Sequence, residues 1–162
     1  MSARAEALCL TVDGAHAESP PIRAVRELPH PPEDVFAFLA DLEKHWRLTD
    51  RYLRLVDVAP DRRMGRIAMR SPVGLRRIAR TEVTTISPPH RFGGVAAVGR
   101  KTRARVVWDV APHEEGARVE LTATVLEASS PDALLLALGG RRWLQSRFQR
   151  VLERLAQGLA GD

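Results

Sequence analysis

Ser130-Pro131-Asp132-Ala133-Leu134-Leu135-Leu136-Ala137-Leu138-Gly139-Gly140, continued by Arg141-Arg142-Trp143-Leu144-Gln145-Ser146-Arg147-Phe148-Gln149-Arg150-Val151-Leu152-Glu153-Arg154-Leu155-Ala156-Gln157-Gly158-Leu159, is one long amphipathic helical pattern. At about 100° per residue, Leu144, Phe148, Val151, Leu152, Leu155 and Leu159 form one apolar stripe. Arg147, Arg150 and Arg154 lie opposite. Ser130 reads as the N-cap, Pro131 as the first helical residue and Asp132 as a first-turn acid. Gly139-Gly140 interrupts the pattern at a cost in helix propensity. A kink or break is expected there, with Ala133–Leu138 as a separate turn or short helix.

Everything ahead of this helix is short and strand-like. Ile22–Leu28 alternates as a strand and is ended by Pro29-His30-Pro31-Pro32. Proline suits a first helical turn, and Glu33 and Asp34 suit the positive end of a helix dipole. Val35, Phe36, Leu39 and Leu42 recur at helical spacing. Asp41–Trp46 reads as a second short helix. Strands are then expected at Tyr52–Val58, Met64–Arg70, Leu75–Ile86, Arg91–Ala97, Lys101–Val110 and Ala117–Glu127. Pro60-Asp61, Ser71-Pro72-Val73-Gly74, Pro88-Pro89, Gly99 and Pro112–Gly116 supply the turns; the second has type I chemistry. Local turns between short strands favour an antiparallel meander. The order β-α-α-β6-α suits a curved sheet wrapped around one terminal helix. Such a shape tends to enclose a space, which points to a container for an apolar ligand.

The chain has 162 residues, which fits one domain. We read residues 1–21 as an N-terminal extension and 22–162 as the domain. Leu8, Leu10 and Val12 hint at a further short strand. The longest apolar run is Ala133–Leu138, far short of the roughly 18 residues of a membrane span. The first residues lack a charged start, an apolar stretch and a cleavage site, so no signal peptide is expected. The single cysteine, Cys9, excludes an internal disulfide and fits a cytoplasmic location.

The formal net charge is +5, carried almost wholly by arginine; only Lys44 and Lys101 are lysines. Arg-, Ala-, Gly-, Pro- and Val-rich composition has a plain origin in GC-rich coding. The strongest local cluster is Arg62, Arg63, Arg66, Arg70, Arg76, Arg77 and Arg80, with no acid between its ends. It contains no aromatic residue on which a base would stack, so specific nucleic-acid binding is not expected.

The stretch Leu28-Pro29-His30-Pro31-Pro32-Glu33-Asp34-Val35-Phe36-Ala37-Phe38-Leu39-Ala40-Asp41 resembles the strand-to-helix entry of the START-like superfamily. This is the polyketide cyclase/dehydratase and lipid-transport group that shares its fold with the major birch pollen allergen. Ile86-Ser87-Pro88-Pro89 and Gly116-Ala117-Arg118-Val119 support the resemblance, which covers about residues 22–160. It implies an α+β helix-grip fold: a seven-stranded antiparallel sheet cupped around the C-terminal helix, with a cavity between. The superfamily has no universal catalytic motif, so no catalytic residue is carried over.

The strand faces suggest what lines such a cavity. Ala104, Val106, Trp108 and Val110 share one face; Val119, Leu121, Ala123 and Val125 share another; Ile67 and Met69 do the same in a third strand. These faces should meet Leu144, Phe148, Leu152 and Leu155. Plain core packing is the competing reading for each residue singly. Trp108 is where solid and hollow interiors would differ most. Arg77 alternates with Leu75, Ala79, Thr81 and Val83. An inward guanidinium there would need a carboxylate or an anionic ligand head; strand twist could instead turn it to solvent. Arg26 is a weaker case of the same kind. Trp46, beside His45, and Tyr52 fall where this fold has its cavity mouth. Trp143 lies off the main stripe, open to three readings: loop packing, a homodimer contact or a lid.

His16, His30, His45, His90 and His113 lie in the extension, at turns or at element ends, and read as solvated. No His/Cys spacing fits a metal site, and no triad, P-loop or dinucleotide fingerprint is present. Neither a cofactor nor a metal is expected. The leading functional expectation is therefore binding, for sequestration or transport, of an apolar or amphipathic small molecule. A cyclase or dehydratase needs a positioned acid or base, and the inward faces offer mainly Thr81, Thr102 and Arg77. A partner-binding role for the arginine-rich hairpin is the third reading.

Overall fold

In the computed structural model, which describes residues 19–49, 51–70 and 74–161, the alternating runs pair into one seven-stranded sheet. The strands are β1 (Ile22–Leu28), β2 (Leu53–Val58), β3 (Met64–Arg70), β4 (Arg76–Ser87), β5 (Arg91–Val98), β6 (Thr102–His113) and β7 (Gly116–Glu127). Their order is β1-β7-β6-β5-β4-β3-β2, and every neighbouring pair is antiparallel, including β1 with β7. Consecutive strands from β2 to β7 thus form the meander, and β1 closes it from the far side. The expected strand near Leu8–Val12, Cys9, His16 and most of the Ser71–Gly74 turn lie outside the described residues.

Helices α1 (Pro32–Ala40) and α2 (Leu42–Arg47) follow β1. Pro31 and Pro32 open α1, with Glu33 and Asp34 in its first turn. Asp41 ends α1 and caps α2; its Oδ1 accepts from the backbone N–H groups of Glu43 (3.0 Å) and Lys44 (3.5 Å). After β7 come α3 (Ser130–Leu135), a π-helical turn over Leu136–Gly140, and α4 (Arg141–Ala160). The double glycine breaks the helix as expected: Gly139 sits at φ 110°, a backbone state that side chains disfavour.

Three local expectations need correction. The N-cap of α3 is Ser129, not Ser130. Its hydroxyl donates to Asp132 Oδ2 (2.8 Å) and its N–H donates to Thr102 Oγ1 (3.1 Å). Next, β6 does not stop at Val110 but runs to His113 through Pro112. Beyond Asp109 it has lost its β5 neighbour, so the missing proline N–H falls on an edge, where it is tolerated. Finally, Arg147 is not outward but buried. Its guanidinium lies 4.9 Å over the Tyr52 ring and 5.7 Å over Trp143. Tyr52, just ahead of β2, covers the flank of α4 beside the apolar stripe.

The packed core joins α1, β1, β6, β7 and the end of α4. Val35, Leu39, Val119, Leu152 and Leu155 are fully buried. Gly158 lets α4 approach α1 closely, since a Cβ there would sit 2.7 Å from the Phe38 ring. No described helix is long and apolar enough to cross a membrane.

The break at Gly139 is testable. Gly139→Ala is expected to cost about 1–2 kcal/mol in denaturant unfolding, the penalty of a left-handed backbone for a side-chain-bearing residue. Gly139→Asn should cost less, because asparagine visits that region more readily.

Candidate functional site

Residues paired across an antiparallel ladder share a face, so the strand registers define the side that meets the helix. Across β2 to β5 the inward rows are Leu53↔Met69↔Arg77 and Leu55↔Ile67↔Ala79↔Val98. Between them and the next strands run Gly65↔Thr81↔Ala96↔Ala104↔Val125 and Gly94↔Val106↔Ala123↔Ile22. The last row is Phe92↔Trp108↔Leu121↔Ala24. The residues expected to share one face therefore do share it.

That face has two unlike halves. Phe92, Trp108, Val110, Val119, Leu121, Ala123, Ile22 and Ala24 are buried against α1 and α4. Leu53, Leu55, Met69, Thr81, Ala96, Val98, Ala104, Val106 and Val125 face the same way yet stay half-exposed, although Ile67 and Ala79 among them are buried. So do Leu144 and Phe148 on α4. The reason is placement: α4 approaches β1 most closely and β7 less, and α1 packs on one end of β5, β6 and β7, so the other end of these strands and β2 to β4 carry less helix cover.

Two polar structures border the open half. At one rim, Arg77 pairs with Asp132, which also receives hydrogen bonds from Thr102 and Ser129. The carboxylate that an inward Arg77 requires is thus supplied by the first turn of α3. Burial alone would raise the Asp132 carboxyl, but Thr102, Ser129 and Arg77 together hold it below the usual carboxylate range. Arg66, Arg70, Arg76 and Arg80 of the same arginine cluster point to the convex side and are exposed. Arg26 is exposed as well.

At the opposite rim lies the residue that the sequence reading misplaced. His45 is no solvated loop histidine. It lies on α2 with its ring 5.4 Å from Trp46, 5.6 Å from Phe92 and 5.5 Å from Trp108. Nδ1 is 3.1 Å from the Leu39 carbonyl. Burial pushes the imidazole from its ordinary 6.5 down to about 4, against the smaller upward pull of that carbonyl. The available signal was the i,i+3 spacing from Leu42, which sets His45 on the apolar side of α2. Trp46 is half-buried, its indole edge 3.9 Å from where a Gly65 Cβ would be. Tyr52 stacks edge-on with Trp143 at 5.8 Å and 89°, joining the approach to β2 to α4.

Two outer clefts lie elsewhere. One of about 630 Å³ runs between Pro21–Arg23 and the Leu136–Gln145 region. The other, of about 570 Å³, lies mainly on the convex face around Val95, Ala97 and Arg103. Neither lies between α4 and the inward face.

The buried histidine gives a pH test. Its folded value lies near 4 and its ordinary value is 6.5, so between them the unfolded chain binds more protons. Its contribution is complete above pH 6.5 and is lost as pH falls toward 4. The slope in that window should approach about 1.4 kcal/mol per pH unit at most. Asp132 acts in a lower window, losing its contribution only as pH falls through its depressed value, below 3.8. His45→Asn keeps a donor for Leu39 and does not titrate. Urea midpoints across pH should flatten between 6.5 and 4 in this variant; an unchanged slope would contradict the assignment.

Known proteins show the same architecture. TTHA0849 from Thermus thermophilus superposes with a TM-score of 0.68 at 23% identity, covering 88% of this chain and 98% of that one. A Rhizobium leguminosarum protein gives 0.65 at 16% identity, covering 88% and 95%. Ms6760 from Mycobacterium smegmatis gives 0.64 at 16%, covering 85% and 88%. At these identities the likeness shows the fold alone. A search of the curated proteins returned no match. The model of one family, described as polyketide cyclase / dehydrase and lipid transport, matches residues 20–160. Helix-grip architecture and this match together make the chain a member of the polyketide cyclase / dehydrase and lipid transport family.

Proposed function

We propose that this protein binds an apolar or amphipathic small molecule between α4 and the open half of the sheet, to sequester or carry it. One observation carries the reading: the inward apolar residues Leu53, Leu55, Met69, Val98, Ala104, Val106 and Val125 remain half-exposed, with only Ile67 and Ala79 buried among them, while Phe92, Trp108, Leu121, Ala123, Ile22 and Ala24 nearer β1 are buried. A chain that leaves Met69, Val98, Val106 and Phe148 short of neighbours forgoes dispersion contacts. An apolar guest restores them and gains about 25 cal/mol per Å² of apolar surface removed from water, before association costs. Family membership supports the same class of ligand. Met69, Thr81, Val106, Leu144 and Phe148 form the lining in this reading. Trp108, Leu121 and Ala123 form its packed floor, and Trp46 and Tyr52 stand at the mouth. Arg77 is a structural clamp to Asp132 rather than an anchor for an anionic head.

Binding is preferred to catalysis on chemical grounds. The interior titratable ring, His45, is held to about 4, far below the value that suits a general base at neutral pH.

Substitutions that add volume test the reading. Ala104 is half-exposed in the open half and Ala24 is buried in the packed half. Ala104→Leu is expected to keep stability within about 1 kcal/mol, whereas Ala24→Leu should cost about 1–3 kcal/mol through overpacking. Native mass spectrometry of the purified wild type should find a co-purified small molecule that Ala104→Leu lacks. Equal destabilisation by both changes, with no guest and no apolar dye bound by the wild type, would contradict the proposal. Trp108→Ala, in the packed half, should cost the full core value of about 3–5 kcal/mol.

A further inference from the structure

Leu138 is the most exposed large apolar side chain among the described residues, at 76%, and Leu134 follows at 59%. Leu135 is exposed beside them, and all three sit on α3 and the π-helical turn that ends at Gly140. The inner side of this segment carries Asp132, whose bonds to Arg77 and Thr102 tie α3 to β4 and β6. A cluster of outward leucines of this kind marks an interaction surface more often than it occurs by chance.

The same end of the molecule is basic. Ser129 and Asp132 both bond Thr102, so α3 starts beside the β5–β6 hairpin, whose tip holds the exposed Arg100 and Lys101. Arg142, also exposed, follows the π-helical turn. The β3–β4 hairpin closes at the Arg70↔Arg76 pair, both exposed. Against these cations, Glu127 is the exposed acid of this end among the described residues. The outer cleft behind Leu138 is lined by Arg23, Arg141 and Arg142 and by no acid. Exposed Glu33, Asp34, Glu114 and Glu115 stand at the other end, on α1 and the β6–β7 turn.

Leucines set among cations suit an anionic lipid surface, which takes apolar side chains into its acyl boundary and basic ones onto its headgroups. A second copy of the chain would bring these cations against their own kind. A nucleic-acid strand would leave the leucines in water. We infer that this end docks the protein on an anionic bilayer: Leu134, Leu135 and Leu138 enter the boundary between headgroups and acyl chains, and Arg100, Lys101 and Arg142 rest on anionic headgroups. Docking does not require the proposed interior site. It does turn the rim of the half-exposed face, at Met69 and Val98, toward the bilayer, so that a guest of that site would exchange with lipid.

Co-sedimentation of the full chain with phosphatidylcholine vesicles, with and without phosphatidylglycerol, tests the docking face. The wild type should bind the anionic vesicles more tightly than the neutral ones, and the difference should shrink with salt. Leu134→Asn with Leu138→Asn should weaken binding to anionic vesicles about tenfold or more. Its urea midpoint should stay at the wild-type value, because both side chains are exposed. Arg100→Gln, Lys101→Gln and Arg142→Gln together should remove most of the preference for phosphatidylglycerol. Arg54→Gln, Arg80→Gln and Arg105→Gln, which remove the same charge from the convex face, should keep it. No binding to anionic vesicles, or wild-type binding by the leucine variant, would overturn the inference. Equal losses in the two charge variants would overturn it too, marking adsorption by net charge alone. A dimer in sedimentation equilibrium that the leucine variant loses would assign the leucines to a second copy instead. Apolar-dye binding tests the container separately, so failure of the docking face leaves that reading standing.

Discussion

One helix has to cover a sheet much wider than itself. Seven strands at about 4.8 Å spacing span about 29 Å edge to edge, whereas a helix with its side chains is about 10–12 Å across. Nothing else in the described chain lies along the inward face except the short α1 and α2 at one end. The sheet can curl around α4, but α4 can press closely on only part of it. It presses on β1 and β7. The division of the inward face into a packed half and an open half follows from that mismatch.

A pair of braces flanks the half-exposed side of the sheet. Arg77, Thr102 and Ser129 converge on Asp132 and tie the start of α3 to strands β4 and β6. Tyr52, Trp143 and Arg147 tie α4 to the strand edge farthest from β1. Arg154 adds a bond to the Thr49 carbonyl. These are directional contacts: an ion pair with extra hydrogen bonds, an edge-on ring pair and a cation over a ring. They hold elements at a distance where non-directional apolar packing would draw them together. The Gly139 break serves the same geometry, since it lets α3 lean on its strands while α4 follows β1.

Most of the fold was legible in the sequence because its signals are local. Met64–Arg70 was read to the residue, and the Gly139-Gly140 break followed from backbone freedom alone. Face alternation correctly grouped Val106 with Trp108 and Ala104 because strand period is independent of context. Arg77's need for a carboxylate was legible, but not its partner, which lies 55 residues away on another element. His45 was missed because a six-residue helix offers a single periodic neighbour, Leu42, as the signal of its buried side. Arg147 was missed because a helical wheel assumes a single contact face, and Tyr52 ahead of β2 supplies a second. Which half of the inward face is open was beyond pattern reading, since both halves carry the same apolar alternation.

The central claim is that the unfilled volume lies under α4 beside β3 to β6, not in the outer clefts. Methyl NMR of the wild-type protein titrated with β-methylnaphthalene tests it most directly. Shifts should concentrate on Met69, Val98, Val106 and Val125, with Leu152 and Leu155 in the packed half little affected. Shifts confined to Leu136 and Leu138 beside the outer cleft, or none at all, would contradict it.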